Sequence, residues 1–418
     1  MKDTKTFNPF RPNSPVPPGM FTGRIHELDR IDDSYLKLGQ GNPSHLMIVG
    51  ERGIGKSSLL LFCDMLAKGD VVWQADIKYQ YLPIHFSIEK DLTKLDIIRK
   101  LKGGLERHLR KEEKIFELFQ KSCEFLQKFE VGNFKMHADN LVDYSIIDKF
   151  VYSFADACES LRNNVFNRSG VVKKRYGIVI LIDEVDNSSV DLGLGAFIKN
   201  FTEGLQIQGC NNVMFIISGL PNIRDILRES HESSLRLFEE LELLPIENKD
   251  TEELYQRGIK TVNSKSGKFY RYAPDALSRM IGASEGYPHF IQQIGASTFD
   301  INENEVINLD TVNRAIFDTH GAIDLIGDRY YRTLYYDSIK EDAYREILKI
   351  MAENLSKVTT RKQLLEKFKG SKNTLDNGLS ALRNRGIILP VIGKRGEYRL
   401  QWVGFGLWIK FFTHCRNQ

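Results

Sequence analysis

Short runs of branched apolar residues alternate along this chain with longer stretches whose apolar positions recur every three or four residues. The runs lie near 46–50, 81–88, 178–183, 213–218 and 241–246, and they read as strands buried on both faces. Between them, Ile25, Leu28, Ile31 and Leu36 mark a helix after a turn at Gly23. Residues from about 92 to 130 mix charged and apolar positions as amphipathic helices do, and Gly132-Asn133 breaks that pattern before another helix from about 145 to 162. Such alternation predicts an α/β domain with a three-layer parallel sheet. Pro83 suits the start of its strand, or a strand at the sheet edge. After residue 246 the pattern turns helical, with helices opening near 251 and at Pro274. Helices at about 341–354, 360–368 and 371–385 are followed by two short strands around Gly393-Lys394-Arg395-Gly396. Three helices and such a hairpin predict a winged helix-turn-helix.

Composition narrows the class. The 418 residues, 42% hydrophobic and 27% charged, have room for two or three globular domains. A net charge of +3 means that any nucleic-acid site is local rather than a whole-molecule field. Five scattered cysteines (Cys63, Cys123, Cys158, Cys210, Cys415) include no Cys-x2-Cys pair, which disfavours zinc and a secreted disulfide framework and suits a reducing cytoplasm. No apolar signal core and no run of about 18 apolar residues predicts a membrane span.

The first strand leads into Gly50-Glu51-Arg52-Gly53-Ile54-Gly55-Lys56-Ser57-Ser58. This is the P-loop pattern. Its glycines let successive backbone N–H groups curl around a phosphate, and the helix that follows points its positive end at the same anion. Lys56 supplies charge for the β- and γ-phosphates of ATP, and Ser57 offers a hydroxyl to Mg2+. Downstream, Ile178 to Ile182 end in Asp183-Glu184. Alone, a strand followed by acids is ambiguous. Behind a P-loop, Asp183 reads as the magnesium-side Walker B acid and Glu184 as the group that orients or deprotonates an attacking water. Ser218, at the end of the next strand, is either a reporter on the γ-phosphate or a plain strand-end serine.

The order Phe21-Thr22-Gly23-Arg24-Ile25-His26-Glu27-Leu28, Gly50 to Ser57, Ile182-Asp183-Glu184, Ser218-Gly219 and Ser233 to Ile246 resembles the AAA+ ATPases of the origin-recognition and initiator-loader clade, and the related STAND signalling ATPases. The resemblance covers about residues 7 to 295. It implies a core over 21–246, with a helical insertion at about 92–145, and a helical lid over 247–335. The winged helix-turn-helix then occupies 336–418, and the proline-rich residues 1–20 form an extended arm lying across another surface. It also implies that Arg236 reaches a neighbouring subunit's nucleotide, with Arg224 a weaker choice. Pro288 would pack near adenine, with His289 where many AAA+ proteins carry a sensor arginine; a histidine there is more typical of STAND proteins.

On the last of the three helices, Ser371, Lys372, Asn373, Asn377, Arg383 and Arg385 face the position of double-stranded DNA, with Lys394 and Arg395 at the hairpin tip for phosphates. Asp376 and the closing aromatic stretch Trp402 to Phe412 equally suit docking to a protein. The leading expectation is a cytoplasmic ATPase with slow, regulatory hydrolysis, assembling as a homo-oligomer or with a partner effector on DNA. The alternative is a STAND-like scaffold, as in phage defence or mobile elements, whose winged helix binds protein.

Overall fold

A computed structural model describes residues 7–15, 21–73, 77–110, 112–129, 144–169, 177–354, 358–391 and 393–413. The Gly132-Asn133 break, Cys415 and the arm residues 1–6 and 16–20 lie outside these. The chain forms two compact units, one from Arg24–Leu244 and the other from Pro245 onward together with the described residues before Arg24.

The first unit follows the alternation in the sequence. Its elements are α1 (Ile25–Gly39), β1 (His45–Gly50), α2 (Lys56–Lys68), β2 (Leu82–Ser87), α3 (Lys94–Leu109), α4 (Glu113–Ser122), α5 (Tyr144–Ser169), β3 (Ile178–Asp183), α6 (Leu194–Ile207), β4 (Val213–Gly219), α7 (Ile223–Ser230) and β5 (Phe238–Leu243). The strands make one parallel sheet in the order β2-β3-β4-β1-β5. Every residue of β1, β3 and β4 is buried, which explains their unbroken apolar runs. Ile178, Ile180 and Ile182 of β3 share a core with Ile97 and Leu101 of α3, Phe150 and Phe154 of α5, and Phe197 and Phe201 of α6. His45 of β1 is also buried; its Nδ1 accepts the Phe215 N–H at 3.0 Å, and burial lowers its pKa to about 4. Pro83 sits in edge strand β2, where a missing donor is tolerated.

The last strand differs from expectation. It spans Phe238–Leu243 rather than 241–246, because a short 3-10 turn at Glu232–Leu237 ends before the acidic residues. Among the described residues, β5 pairs only with β1. Its outer positions carry Glu239 and Glu240, which find Arg30 and Arg224, so these charges belong to an edge strand.

The second unit contains α8 (Asn248–Ser266), β6 (Arg271–Tyr272), α9 (Pro274–Ser284), α10 (Pro288–Ile301), β7 (Val306–Ile307), α11 (Leu309–Phe317) and α12 (Ala322–Ile326), then α13 (Asp342–Ala352), β8 (Thr359–Thr360), α14 (Arg361–Lys367), α15 (Lys372–Asn384), β9 (Ile388–Pro390), β10 (Glu397–Leu400) and α16 (Val403–Phe412). Thr360 and Ser371 cap α14 and α15 through their hydroxyls. The strands β8-β10-β9 form a small antiparallel sheet; its third strand, β8, was not legible in the sequence. The closing aromatic stretch is helix α16. Its Phe405 and Trp408 pack with Tyr331 and Tyr335, and the Glu285 carboxylate accepts the first N–H groups of α16, from Val403 at 2.9 Å and Gly404 at 2.7 Å.

Residues 7–15 lie against this unit. Phe10 fills a gap between α8 and α10 that a Cβ on either Gly258 or Gly295 would close, at 2.5 and 2.6 Å from its ring. The Asn8 side chain donates to Ala296 O and Asp300, and the Arg11 N–H donates to Gln292 Oε1 at 2.8 Å. Among the described residues, no helix is long and apolar enough to cross a membrane.

Candidate nucleotide-binding site

The C-terminal edge of the parallel sheet collects Lys56, Ser57, Asp183, Glu184 and Ser218, the groups of the phosphate-loop and acid motifs and the strand-end serine. β1 ends at Gly50, where a Cβ would meet Ile54 Cγ2 at 2.8 Å and the backbone of β5 at 3.2 Å, so only glycine lets the loop turn back over the sheet. Gly53 and Gly55 then take φ of 78° and 103°, in the left-handed region. Gly55 caps α2 and has no side chain to offer the N-terminal N–H groups of α2. Arg52 and Ser57 are exposed, while Glu51 and Ser58 are half-buried.

Lys56 is folded back over the loop. Its Nζ donates to the carbonyls of Gly50 at 2.8 Å and Glu51 at 2.9 Å. Burial pulls the ammonium below its ordinary range, while Asp186 and Asp183 hold it up.

Asp183 is the hub. β3 and β1 are separated by β4, so the carboxylate at the end of β3 meets the start of α2 across the end of β4. Ser57 Oγ donates to Asp183 Oδ2 at 2.6 Å, from 126 residues away. Asp183 Oδ1 accepts from Ser218 Oγ and, at 2.8 Å, from the N–H of Glu184. Ser218 is fully buried, and its hydroxyl is committed to the carboxylate it positions. Glu184 is exposed and holds φ at 56°, a left-handed conformation that a non-glycine residue rarely adopts. Its carboxylate accepts from Asn187 at 3.3 Å.

Two residues were not singled out as functional in the sequence. Arg24 is buried; it pairs with Glu27 at 3.1 Å and donates to the carbonyl of Ile54, also at 3.1 Å, which braces the phosphate-binding loop from behind. Asp186 accepts the Leu220 N–H at 3.0 Å and so ties the turn after β3 to the end of β4. A buried arginine's target is a backbone carbonyl, and no residue pattern announces that.

No family model matches the chain, and no curated protein matches it. Among solved structures it is similar to the Aeropyrum pernix ORC2 protein in its ADPNP–ADP complexes, with a TM-score of 0.56, 11% identity and 97% of each chain covered. The ADP form of that protein gives a TM-score of 0.48 at 12% identity, covering 94% of this chain and 93% of that one. Cdc6p from Pyrobaculum aerophilum gives 0.44 at 14% identity, covering 96% and 97%. The chain has the AAA+ fold.

Outside the loop of this AAA+ fold, the flagged residues separate into free and committed ones. Arg236 is exposed in the turn before β5 and has no ion-pair partner among the described residues. Arg224 is held in a two-pronged pair with Glu240, through Nε at 2.9 Å and Nη2. In the second unit Pro288 starts α10, and the ring of His289 packs edge-on against Tyr330. His289 bonds to the Pro12 backbone, and burial and Arg329 lower its pKa to about 4. On α15 and the hairpin, Lys372, Asn373, Arg383, Lys394 and Arg395 are exposed. Arg385 donates to Ser338 O at 2.8 Å, and Asp376 is paired with Arg361 at 2.7 and 2.8 Å.

Proposed function

We propose that this protein is a cytoplasmic AAA+ switch that binds ATP with Mg2+, hydrolyses it slowly to ADP and phosphate, and couples the nucleotide state to assembly on double-stranded DNA. The observation that carries the reading is the convergence of Ser57, Ser218 and the Glu184 N–H on Asp183, beside a lysine parked on its own loop. Phosphate oxygens would replace the Gly50 and Glu51 carbonyls as partners of Lys56, and the N–H groups of the loop and of the α2 N-terminus would hold the rest of the anion. No cluster of three or more His, Cys, Asp or Glu side chains able to hold a metal exists among the described residues. The donor set of one serine hydroxyl backed by one carboxylate suits Mg2+, which leaves places for nucleotide oxygens and water and, when bound, offsets phosphate charge. Glu184 would accept the proton of the attacking water. Arg236, without an ion-pair partner among the described residues, would serve the nucleotide of a second copy, so the working form is a homo-oligomer. The solved ORC2 protein of the same fold carries ADPNP and ADP, which agrees with a nucleotide in the loop.

The three helices α13 to α15 with the β9–β10 hairpin would act as a winged helix. Lys372, Asn373, Arg383, Lys394 and Arg395 would meet DNA, and Arg361 offsets the acid of Asp376 on the same face. Pro288 would lie on the adenine side. His289, with a pKa of about 4, is neutral at pH 7 and supplies no sensor charge. That neutrality favours one second reading, a STAND-like switch whose winged helix holds a partner effector protein.

Calorimetric titration tests the nucleotide site. Wild-type protein takes up ATP, and Lys56→Ala loses it; unchanged affinity would remove the P-loop assignment. Mixing Lys56→Ala with Arg236→Ala protein restores hydrolysis that neither shows alone if the arginine acts between copies.

A further inference from the structure

Gly195 lets the turn after α7 approach α6 closely. A Cβ there would stand 2.6 Å from Leu227 O and 2.8 Å from Ser234 Oγ, and the Ala196 N–H donates to Ser230 Oγ at 3.3 Å. One helical turn on from Gly195, on the same face of α6, Lys199 meets His231, the residue between Ser230 and the 3-10 turn Glu232–Leu237. The ring is half-buried, and its two nitrogens have separate duties. Nδ1 caps the 3-10 turn by accepting the Ser233 N–H at 3.2 Å, and the Ser233 hydroxyl lies 3.0 Å from the same atom. An imidazole whose Nδ1 accepts carries its proton on Nε2. Nε2 stands 3.4 Å from Lys199 Nζ, and an ammonium can only donate. Two donors therefore face each other, and among the described residues no oxygen accepts from Nε2. Glu203, the next turn along α6, reaches Lys199 at 3.5 Å from an exposed position and does not take the ring proton.

We propose that Lys199 and the Nε2–H of His231 form a binding site for a phosphate group, whose oxygens supply the acceptor that this pair of donors lacks. One oxygen takes the Nε2–H, and the same oxygen or its neighbour takes the ammonium in a charge-assisted bond. A carboxylate is the weaker candidate, because that of Glu203 is already one helical turn away and is not drawn between the two donors. A dianionic tetrahedral group carries the extra charge and the extra oxygens needed to displace it. Lys199 keeps 22% of its side chain exposed, so the site opens to solvent, and Glu203, half exposed itself, has room to swing aside. The site uses no residue of the phosphate-binding loop and none of the Asp183 hub. Its ring also caps the turn that carries Arg236, so the anion and that turn share one anchor.

The test follows the ring itself by NMR, in the full chain labelled with nitrogen-15 histidine, with His231→Asn protein identifying its signals. Without phosphate, His231 should show the neutral tautomer protonated on Nε2. Inorganic phosphate should then shift Nε2 saturably; Lys199→Met should weaken that binding about tenfold or more, and Glu203→Gln should tighten it. The Asn of His231→Asn protein can still cap the turn through its side-chain oxygen but places no donor where Nε2 was, so it should lose phosphate in calorimetry while keeping its unfolding midpoint. Lys56→Ala protein should give the same Nε2 response as wild type, which separates failure of this site from failure of the P-loop assignment. AMP titrated alongside distinguishes a site for the free anion from one that also takes phosphate esters. A ring protonated on Nδ1, no saturable shift with phosphate, an equal response to acetate, or a shift that survives in Lys199→Met protein would overturn the proposal.

Discussion

The two units use their polar residues in opposite ways. At the sheet edge of the first unit, Lys56, Ser57, Asp183 and Glu184 were read from short motifs, and three of them meet around one carboxylate or its backbone within 2.6–2.8 Å. In the second unit several polar groups that stood out in the sequence are consumed by packing. His289 is neutral against Tyr330 and Pro12, Arg385 is spent on Ser338, and Asp376 is cancelled by Arg361. A phosphate-binding loop depends on backbone geometry fixed by neighbouring residues, so its sequence is local and readable. A bundle surface depends on which side chains the fold leaves free, and that is decided by contacts with other elements, such as those of Arg385 with Ser338 and of Asp376 with Arg361.

Breaking the packing of the second unit is expected to have the largest effect. Phe10→Ala empties the gap between Gly258 and Gly295 and should cost about 3–5 kcal/mol in urea unfolding, since a 4%-exposed ring is lost between two helices that cannot close up. A cost under about 1 kcal/mol would mean that the arm rests on the bundle without supporting it.

Acid should weaken the first unit next. His45 is 4% exposed and its folded-state pKa is about 4, against an ordinary 6.5. Between those values the unfolded chain binds a proton that the folded chain refuses. Its contribution is therefore complete above about pH 6.5 and is lost as pH falls toward 4, by up to about 1.4 kcal/mol per pH unit. His289 acts in the same direction in the second unit. Unfolding followed at pH 7 and pH 5 checks the sign; greater stability at pH 5 would contradict a neutral, buried His45.

The smallest effects sharpen the division between free and committed residues. In a DNA filter-binding salt series, Lys372→Ala and Arg395→Ala should each reduce the slope by about 1. Arg385→Ala should leave it unchanged, because its guanidinium already serves Ser338. A uniform effect across all three would mean that exposure in the free protein does not select the DNA contacts.

Most of the strand and helix order was legible because buried parallel strands leave continuous apolar runs and helices leave a three-to-four spacing. What was missed follows from long-range pairing. The start of β5 was displaced by acids that an edge strand can carry, and the two-residue β8 has no pattern of its own. In α16 the apolar residues are too continuous to show a helical period. At the site the motif residues were legible, whereas the Arg24 brace and the commitment of Ser218 to Asp183 exist only once the chain is folded.

The central claim is that Glu184 and the Asp183 hub form a hydrolytic site for bound ATP. Single-turnover hydrolysis of pre-bound, radiolabelled ATP by wild-type and Glu184→Gln protein tests it most directly. A neutral amide of the same shape cannot take the proton of the attacking water, so the variant should hold ATP with wild-type affinity while phosphate release slows by about a hundredfold or more. Wild-type phosphate release from Glu184→Gln protein would contradict the claim.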